Sequence, residues 1–155
     1  MKIFDCMKRN VYSIRENTTI REAARVFVAK HIGSLPVVDA QGVLVGMLQL
    51  RDLIELVLPD FVNLVVDFDF APDFGAVEAR SPGDEMLARP VSSIMHPPIA
   101  VDAQSGVIRA YSLLQKHQLH DLPVVDANKR LVGIASRVDI GAAFVSKWNI
   151  TQGGG

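Results

Sequence analysis

Two aspartates, Asp52 and Asp139, stand just inside predicted helices that follow apolar strands. A carboxylate at such a place can accept hydrogen bonds from both hydroxyls of a ribose, because it offers two oxygens to the vicinal diol. At the second position Ser136 and Arg137 precede the aspartate, where the free N–H groups of a helix start attract anions and an arginine can bind a phosphate in bidentate fashion. The Ser136-x-x-Asp139 pattern is also that of an ordinary helix N-cap, so ligand binding and capping both remain open.

Other residues of reactive types are arranged less favourably for chemistry. His117 and His120 have a spacing that can chelate a metal, but no third ligand is evident. The acidic string from Asp67 to Asp73 lacks the glycine and the terminal glutamate of a calcium loop. Cys6 is the single cysteine, with no activating base near it in sequence. We therefore predict no metal site and no catalytic residue.

An internal repeat sets the organisation of the chain. Residues 35–40 (Leu-Pro-Val-Val-Asp-Ala) recur as residues 122–127, and Leu-Val-Gly at 44–46 returns in the same register at 131–133. Asp52 and Asp139 occupy equivalent places in the two copies. The two halves are therefore expected to share one supersecondary unit.

The periodicity of each copy predicts the order β-α-β-β-α. In the first copy Thr19 and Glu22 have the spacing of a capping box, and Gly33 is predicted as the left-handed residue that closes the helix. The predicted helical stripes are Ile20, Ala23, Ala24, Phe27 and Val28, then Val107, Ala110, Tyr111 and Leu114; the predicted strands are 35–38, 43–48, 99–101, 122–125 and 131–135, with further helices from about residue 50 and over 138–145.

We predict a mixed α/β (α+β) fold in which two β-α-β-β-α repeats pack with pseudo-twofold symmetry. The predicted boundaries are 1–58 for the first repeat, 59–90 for an inserted helical or loop linker, 91–150 for the second repeat and 151–155 for a flexible tail. The insert, rich in Phe and Asp, has no counterpart in the second copy. It is interpreted either as a helical extension and loop packed on the core or as an oligomer contact.

Composition limits the class of protein. The 155 residues include 16 Lys+Arg and 17 Asp+Glu, for a net charge of −1, with 49% hydrophobic residues. That balance excludes a wholly disordered chain and argues against a dedicated nucleic-acid binder. No apolar run is long enough to span a bilayer, and the first residues lack a secretory signal. We expect a soluble cytoplasmic protein with no membrane partner.

The stretch His-Ile-Gly-Ser-Leu-Pro-Val-Val-Asp at 31–39 and Gly-Ile-Ala-Ser-Arg-Val-Asp at 133–139 resemble a pair of cystathionine-β-synthase (CBS) domains, a Bateman module. Met7 before residues 11–14 and Met95 before 99–101 resemble the opening of each domain. The resemblance covers nearly the whole chain except the insert. It implies a regulatory module that binds adenosine-containing ligands in two clefts between the repeats, often as a dimer.

The resemblance implies the residues of each cleft. Ile134 and Val138 would form an apolar slot for the base, Tyr12 would stack on adenine or simply pack, and His120 would face phosphate or be a surface histidine at a helix end. The residues implied for the first predicted cleft are Asn10, Tyr12, Ile32, Gly33, His120, Ile134, Ser136, Arg137, Val138 and Asp139. The residues implied for the second predicted cleft are Met47, Gln49, Arg51, Asp52, Ile99 and Leu119, together with His120.

The second predicted cleft departs from the family. Gln49 replaces the usual Ser or Thr, and Pro97-Pro98 removes two backbone donors. We therefore predict that the Asp139 cleft is the principal nucleotide site.

The resulting hypothesis is a non-enzymatic sensor of AMP, ADP or ATP, with NAD and S-adenosylmethionine as further candidate ligands and no required cofactor. The protein would relay binding to a regulated protein that the sequence does not name. A homodimer is expected, through apolar helices at 53–58 and 140–145. One alternative is a structural assembly module with empty clefts. The other is a nucleic-acid-associated regulator, which the near-neutral net charge disfavours.

Overall fold

The computed structural model describes residues 1–58 and 80–150. Most of the predicted 59–90 insert, including the acidic string from Asp67 to Asp73, and the predicted tail 151–155 lie outside the described residues. The first copy contains a 3-10 turn Ile3–Asp5, β1 Ile14–Arg15, α1 Ile20–Lys30, β2 Ser34–Val38, β3 Leu44–Gln49 and α2 Leu50–Ile54; after α3 Asp84–Leu87, the second contains a 3-10 turn Val91–Ser93, β4 Val101–Asp102, α4 Val107–His117, β5 Asp121–Val125, β6 Leu131–Ser136 and α5 Arg137–Val145.

Each copy forms a three-stranded sheet of the same topology. The orders are β1-β2-β3 and β4-β5-β6, with the first pair parallel and the second antiparallel in both sheets. Leu35 lies opposite Leu48 in one sheet and Leu122 opposite Ala135 in the other. Both sheets have an irregularity between the two valines of the Pro-Val-Val segment. The duplication therefore extends to the strand register, and the predicted β-α-β-β-α units of a mixed α/β fold are confirmed.

Each repeat has its own hydrophobic core, and each core includes a residue from the segment that precedes the other repeat. Ile3 is fully buried in the core of the second repeat, and Val91 in that of the first. The two opening segments thus cross over. The first core consists of Ile14, Ala23, Phe27, Leu35, Val37, Leu48 and Val91, and the second of Ile3, Val101, Ala103, Val107, Ala110, Leu114, Leu122, Val124, Ala135 and Ile140.

The two sheets meet through a small apolar cluster and a pair of backbone hydrogen bonds. Leu44, Met47 and Val125 are buried between them. The Leu44 N–H donates to the Lys129 carbonyl at 3.0 Å, and the Leu131 N–H donates to the Gly42 carbonyl at 3.1 Å. This contact fixes the two repeats against each other and creates the clefts between them.

The structure corrects three predictions about the helices. His31 (φ 51°), and not Gly33, is the left-handed residue that ends α1, with its N–H donating to the Phe27 carbonyl. The Thr19 hydroxyl caps the Glu22 N–H, but the reciprocal contact of a capping box does not form among the described residues. Val28 is 75% exposed, so the apolar stripe of α1 is narrower than predicted.

The strand predicted at 99–101 is also displaced. The observed strand begins at Val101, whereas Ile99 packs half-buried against the second core. Its short length follows from the parallel pairing with β5, which extends only over Val101 and Asp102. In the described ranges, no helix is both long and apolar enough to cross a membrane.

Candidate functional site

Two clefts open between the repeats, and Asp121 lines both of them. The smaller cleft has a volume of about 150 Å³ and the larger about 320 Å³. Each is walled by residues from both repeats, as the resemblance implied. The smaller cleft is lined by Lys8, Asn10, Val11, Tyr12, Ile32, Ser34, Asp121 and Ile134; the larger is lined by Met47, Gln49, Arg51, His96, Pro97, Ile99, His117, Leu119, Asp121 and Pro123.

A crossing backbone segment forms one wall of the smaller cleft. The Lys8 N–H donates to the Ile134 carbonyl at 2.8 Å, and the Ile134 N–H donates back to the Lys8 carbonyl at 2.9 Å. Gly133 permits this approach, because a Cβ there would lie 2.6 Å from the Met7 sulfur and 2.8 Å from the Lys8 carbonyl oxygen. The absence of a side chain in β6 therefore places Lys8 beside the start of α5.

The larger cleft has the matching wall. His96 and Met47 exchange two backbone hydrogen bonds of 2.9 Å. A Cβ on Gly46 would lie 2.5 Å from the Met95 sulfur and 3.2 Å from the His96 carbonyl oxygen. Lys8 and His96 are therefore structural equivalents, each brought by an opening segment to a cleft edge on the opposite repeat.

The Asp139 carboxylate has both a capping contact and an ion pair. Its Oδ2 accepts from the Ser136 N–H at 2.9 Å, while the Asp139 N–H donates to the Ser136 hydroxyl at 3.0 Å. The Lys8 ammonium lies 3.5 Å from the same Oδ2, and the Lys8 side chain is 64% exposed against 16% for Asp139. Within residues 1–58 and 80–150, Oδ1 accepts no hydrogen bond. The capping interpretation is thus confirmed, and it leaves one carboxylate oxygen available.

The Asp52 carboxylate is held more tightly. Oδ2 accepts from the Gln49 N–H at 2.7 Å, and Oδ1 lies 2.8 Å from Nε2 of His96. The Asp52 side chain is only 8% exposed, whereas that of His96 is 56% exposed. Both oxygens are occupied, and the carboxylate lies behind the lining of the larger cleft.

Asp121 occupies the position where the clefts meet. Burial raises the pKa of this carboxyl group, and the nearby Asp139 carboxylate raises it further. The Ser34 side chain and the charges of Lys8 and His120 act in the opposite direction. Ser34 and Asp121 begin equivalent strands, so the second copy has an acidic side chain where the first has a hydroxyl group.

The structure brings some of the residues predicted for the Asp139 cleft together. Asn10, Tyr12, Ile32 and Ile134 line the smaller cleft, and the Lys30 ammonium lies 4.9 Å from the centre of the Tyr12 ring. The remaining predicted residues do not line it: Gly33, His120, Ser136, Arg137, Val138 and Asp139.

Two of those residues have other surroundings than the sequence suggested. Val138 is 76% exposed, so it does not complete the apolar slot expected for the base. Arg137 donates from Nε to the Leu119 carbonyl at 2.7 Å, and its N–H donates to the His120 carbonyl. The guanidinium is therefore anchored on the α4–β5 connection, which uses one edge of the fork that would bind a phosphate.

The structure brings most of the residues predicted for the Asp52 cleft together in the larger cleft. Met47, Gln49, Arg51, Ile99 and Leu119 all line it, although Asp52 itself lies behind them and His120 is outside. Sequence reasoning missed the roles of Lys8, His96 and Asp121. Lys8 and His96 each directly follow one of the two matching methionines, and Asp121 is a charged residue next to the repeated Leu-Pro strand; these were the available signals.

Cys6 lies close to the smaller cleft but is poorly suited to react. Its thiol donates to the Ile3 carbonyl at 3.6 Å. Burial raises the pKa of the thiol, and the carboxylates of Asp139 and Asp5 raise it further. The thiolate form, which is the nucleophilic form of cysteine, is thus disfavoured.

The curated proteins that are similar to this chain include two that are 32% identical to it. A CBS domain-containing protein of Dictyostelium discoideum is 32% identical over 135 residues, which cover 86% of this chain and 84% of that protein. An uncharacterized protein of Methanocaldococcus jannaschii, MJ1404, is also 32% identical over 142 residues and 90% of this chain. This chain spans only 31% of MJ1404.

Solved structures share the fold. CBSX2 of Arabidopsis thaliana, solved in complex with AMP, is 25% identical to this chain, with a TM-score of 0.71. The superposition covers 94% of this chain and 96% of the CBSX2 chain. The CBS domain pair of protein MJ0100, in complex with 5′-methylthioadenosine and S-adenosyl-L-methionine, is 23% identical with a TM-score of 0.67, covering 96% and 98%.

The family comparison agrees with the internal repeat. The sequence profile of the CBS domain matches residues 3–59 and 91–146, one match for each copy. The two matched segments each contain one three-stranded sheet and the helix that carries Asp52 or Asp139. The chain therefore belongs to the CBS domain family, as a tandem pair of repeats.

Proposed function

We propose that this chain is a non-enzymatic regulatory module that binds an adenosine-containing ligand, of the AMP, ADP or ATP class or related to it, in a cleft between its repeats. The observation that carries the proposal is the pair of clefts walled by both repeats, each next to a helix whose first turn contains an aspartate. The AMP complex of CBSX2, a protein of the same fold, supports it.

The smaller cleft has the parts that such a ligand requires. Tyr12, Ile32 and Ile134 offer an aromatic and apolar surface for a base. Asp139 does not line this cleft, but the Lys8 ammonium lies 3.5 Å from its Oδ2, and its Oδ1 accepts no hydrogen bond among the described residues. Because exposed ion pairs contribute about 0–1 kcal/mol, a ribose hydroxyl can replace the ammonium at small cost. Lys8, whose side chain is 64% exposed, would then move into solvent.

Ligand binding would reach a partner protein through the packing of the repeats. Lys8 belongs to the opening segment of the chain, yet it is hydrogen-bonded to β6 of the second repeat. A ligand between Tyr12 and Asp139 touches elements of both copies and favours the arrangement in which they lie closest. Its regulatory effect cannot exceed the difference in its affinity for the two arrangements.

Isothermal titration calorimetry tests the proposal with AMP, ADP, ATP, NAD and S-adenosylmethionine. We expect at least one of them to bind the wild type, and Asp139→Asn to weaken that binding at least about tenfold, or about 1.4 kcal/mol. Asp84→Asn is the matched control, since Asp84 lies on exposed α3 and pairs only with Arg21 among the described residues. No heat with any of the five would favour an assembly module with empty clefts.

We also infer a homodimer through the exposed apolar residues of α2 and α5. Leu50 and Ile54 on α2, and Phe144 and Val145 on α5, present large side chains to solvent. Surfaces of this kind are typical of protein–protein contacts. Light scattering should give twice the chain mass at micromolar concentration, and Phe144→Glu should give the monomer mass. A monomer in the wild type would contradict the inference.

A further inference from the structure

One ammonium and two carboxylates lie at or beside the smaller cleft. Its lining contributes one ammonium, from Lys8, and one carboxylate, from Asp121. The Asp139 carboxylate lies 3.5 Å from that ammonium and partly neutralises it. Further out, the Lys30 ammonium lies 4.9 Å from the centre of the Tyr12 ring, and His120 is in the α4–β5 connection, directly before Asp121. Among the described residues the Asp139 carboxylate forms a salt bridge with Lys8 and the Asp121 carboxylate forms none, so Asp121 is the charge that a ligand in this cleft meets with least compensation.

The position of Asp121 indicates which part of a ligand it meets. The apolar wall of Tyr12, Ile32 and Ile134 suits the base, and the open oxygen of Asp139 suits the ribose diol. The remaining polar residues of the lining are Lys8, which pairs with Asp139, and Asn10, Ser34 and Asp121. A substituent on the 5′ carbon of an adenosine would contact this polar lining, in which Asp121 supplies the carboxylate.

We propose that Asp121 is a specificity-determining residue, through which the smaller cleft selects adenosine compounds whose 5′ substituent is uncharged or cationic and rejects those with a 5′ phosphate. The inference rests on the proposed function and deepens it, because it assigns phosphorylated ligands of the AMP, ADP or ATP class to the larger cleft. A phosphate placed against a carboxylate in a confined cleft is repelled strongly, because little water remains between the two charges. A thioether meets no such repulsion, and a sulfonium cation is attracted.

The larger cleft provides an internal comparison. Asp121 lines it too, but there it is accompanied by Arg51 and by the imidazoles of His96 and His117. The Arg51 guanidinium can bind a phosphate there, so we expect selection against phosphate only in the smaller cleft. The first repeat has an uncharged serine, Ser34, at the place equivalent to Asp121.

A titration followed by NMR measures each cleft separately in the full chain. The probes are 5′-methylthioadenosine, S-adenosylmethionine and AMP, and the reporters are the amide signals of Asn10, Tyr12 and Ile134 for the smaller cleft and those of His96 and Ile99 for the larger. In the wild type we expect 5′-methylthioadenosine to bind the smaller cleft at least about tenfold more tightly than AMP, a difference of about 1.4 kcal/mol.

The variants isolate the charge. Asp121→Asn keeps the shape of the side chain and should reduce the gap to less than about threefold by strengthening AMP, with the affinity for 5′-methylthioadenosine unchanged. Asp121→Ser, which repeats the residue of the first copy, should do the same if the amide perturbs folding. Asp84→Asn, the same change on exposed α3, should retain the wild-type gap.

Two results would overturn the inference. If AMP binds the smaller cleft of the wild type as tightly as 5′-methylthioadenosine, or if both Asp121 variants keep the gap, Asp121 does not set the specificity while the proposed function stands. If no probe shifts the signals of either cleft, the proposed function fails together with the inference.

Discussion

The smaller and larger clefts are formed by equivalent elements, but the aspartate next to each cleft has different contacts. In the smaller cleft an exposed lysine, Lys8, lies 3.5 Å from one oxygen of Asp139. At the larger cleft Nε2 of His96 lies 2.8 Å from Oδ1 of Asp52, and the Gln49 N–H donates a hydrogen bond to Oδ2. Duplication has thus preserved the backbone and changed the availability of the carboxylate. The comparison shows that an aspartate at the right place in a repeat is not by itself a free ligand-binding group.

The largest expected difference between the clefts is in the free energy of unfolding, when a side chain is added to the glycine against which each crossing segment packs. A methyl group on Gly133 would meet a backbone atom, the Lys8 carbonyl oxygen, at 2.8 Å, whereas on Gly46 it meets mainly the flexible tip of Met95. We expect Gly133→Ala to lower the free energy of unfolding by about 2–3 kcal/mol and Gly46→Ala by about 1 kcal/mol or less. Urea denaturation measures both; equal losses would show that the crossing segments are not held as described.

The second largest difference should be between the stability effects of removing His96 and Lys8, the side chains that contact the two aspartates. His96→Ala leaves the nearly buried Asp52 carboxylate without one of its two partners, so we expect a loss of about 1–2 kcal/mol. Lys8→Ala removes a contact made by an exposed side chain, and we expect at most about 0.5–1 kcal/mol. Both values are measured by denaturation at neutral pH. A larger loss for Lys8→Ala would reverse the proposed contrast between the clefts.

The smallest effect should be the pH dependence contributed by Asp121. Burial raises the pKa of this group in the folded protein above its ordinary value of 3.8, so the folded state retains the proton to higher pH than the unfolded chain does. Stability contributed by the protonated carboxyl is therefore present below that ordinary value and is lost as the pH rises through the raised value.

Asp121→Asn removes this titration. The difference in unfolding free energy between the variant and the wild type should thus shift in favour of the variant as the pH rises through that window, and then level off. Denaturation curves recorded from about pH 3.5 upward provide the test. A difference that is independent of pH would show that the folded state does not perturb Asp121.

Much of the fold could be predicted from the repeat, because strand patterning and turn residues are local properties. The register shared by the Leu35 and Leu122 strands follows from identical sequence. The left-handed ends of both long helices could not be predicted in this way, since His31 and Gln118 occupy positions where glycine is the usual choice. Their conformation is imposed by the chain's return into the next strand.

The site was harder to predict for a related reason. The sequence repeat shows that Asp52 and Asp139 occupy equivalent positions, but it does not show which residues contact them. Lys8 and His96 reach them only because each opening segment crosses to the other repeat, a tertiary contact that no periodicity encodes. Gly133 and Gly46 belong to the repeated Leu-Val-Gly segment, yet only the close approach of Met7 and Met95 explains why a glycine is required there.

A crystal structure of the protein with a bound adenosine compound, obtained by soaking 5′-methylthioadenosine, tests the central claim most directly. We predict the adenine between Tyr12 and Ile134, and both ribose hydroxyls within about 3.2 Å of the Asp139 carboxylate, with the Lys8 ammonium displaced from Oδ2. A ribose bound elsewhere, with the contact between Lys8 and Asp139 intact, would contradict the account.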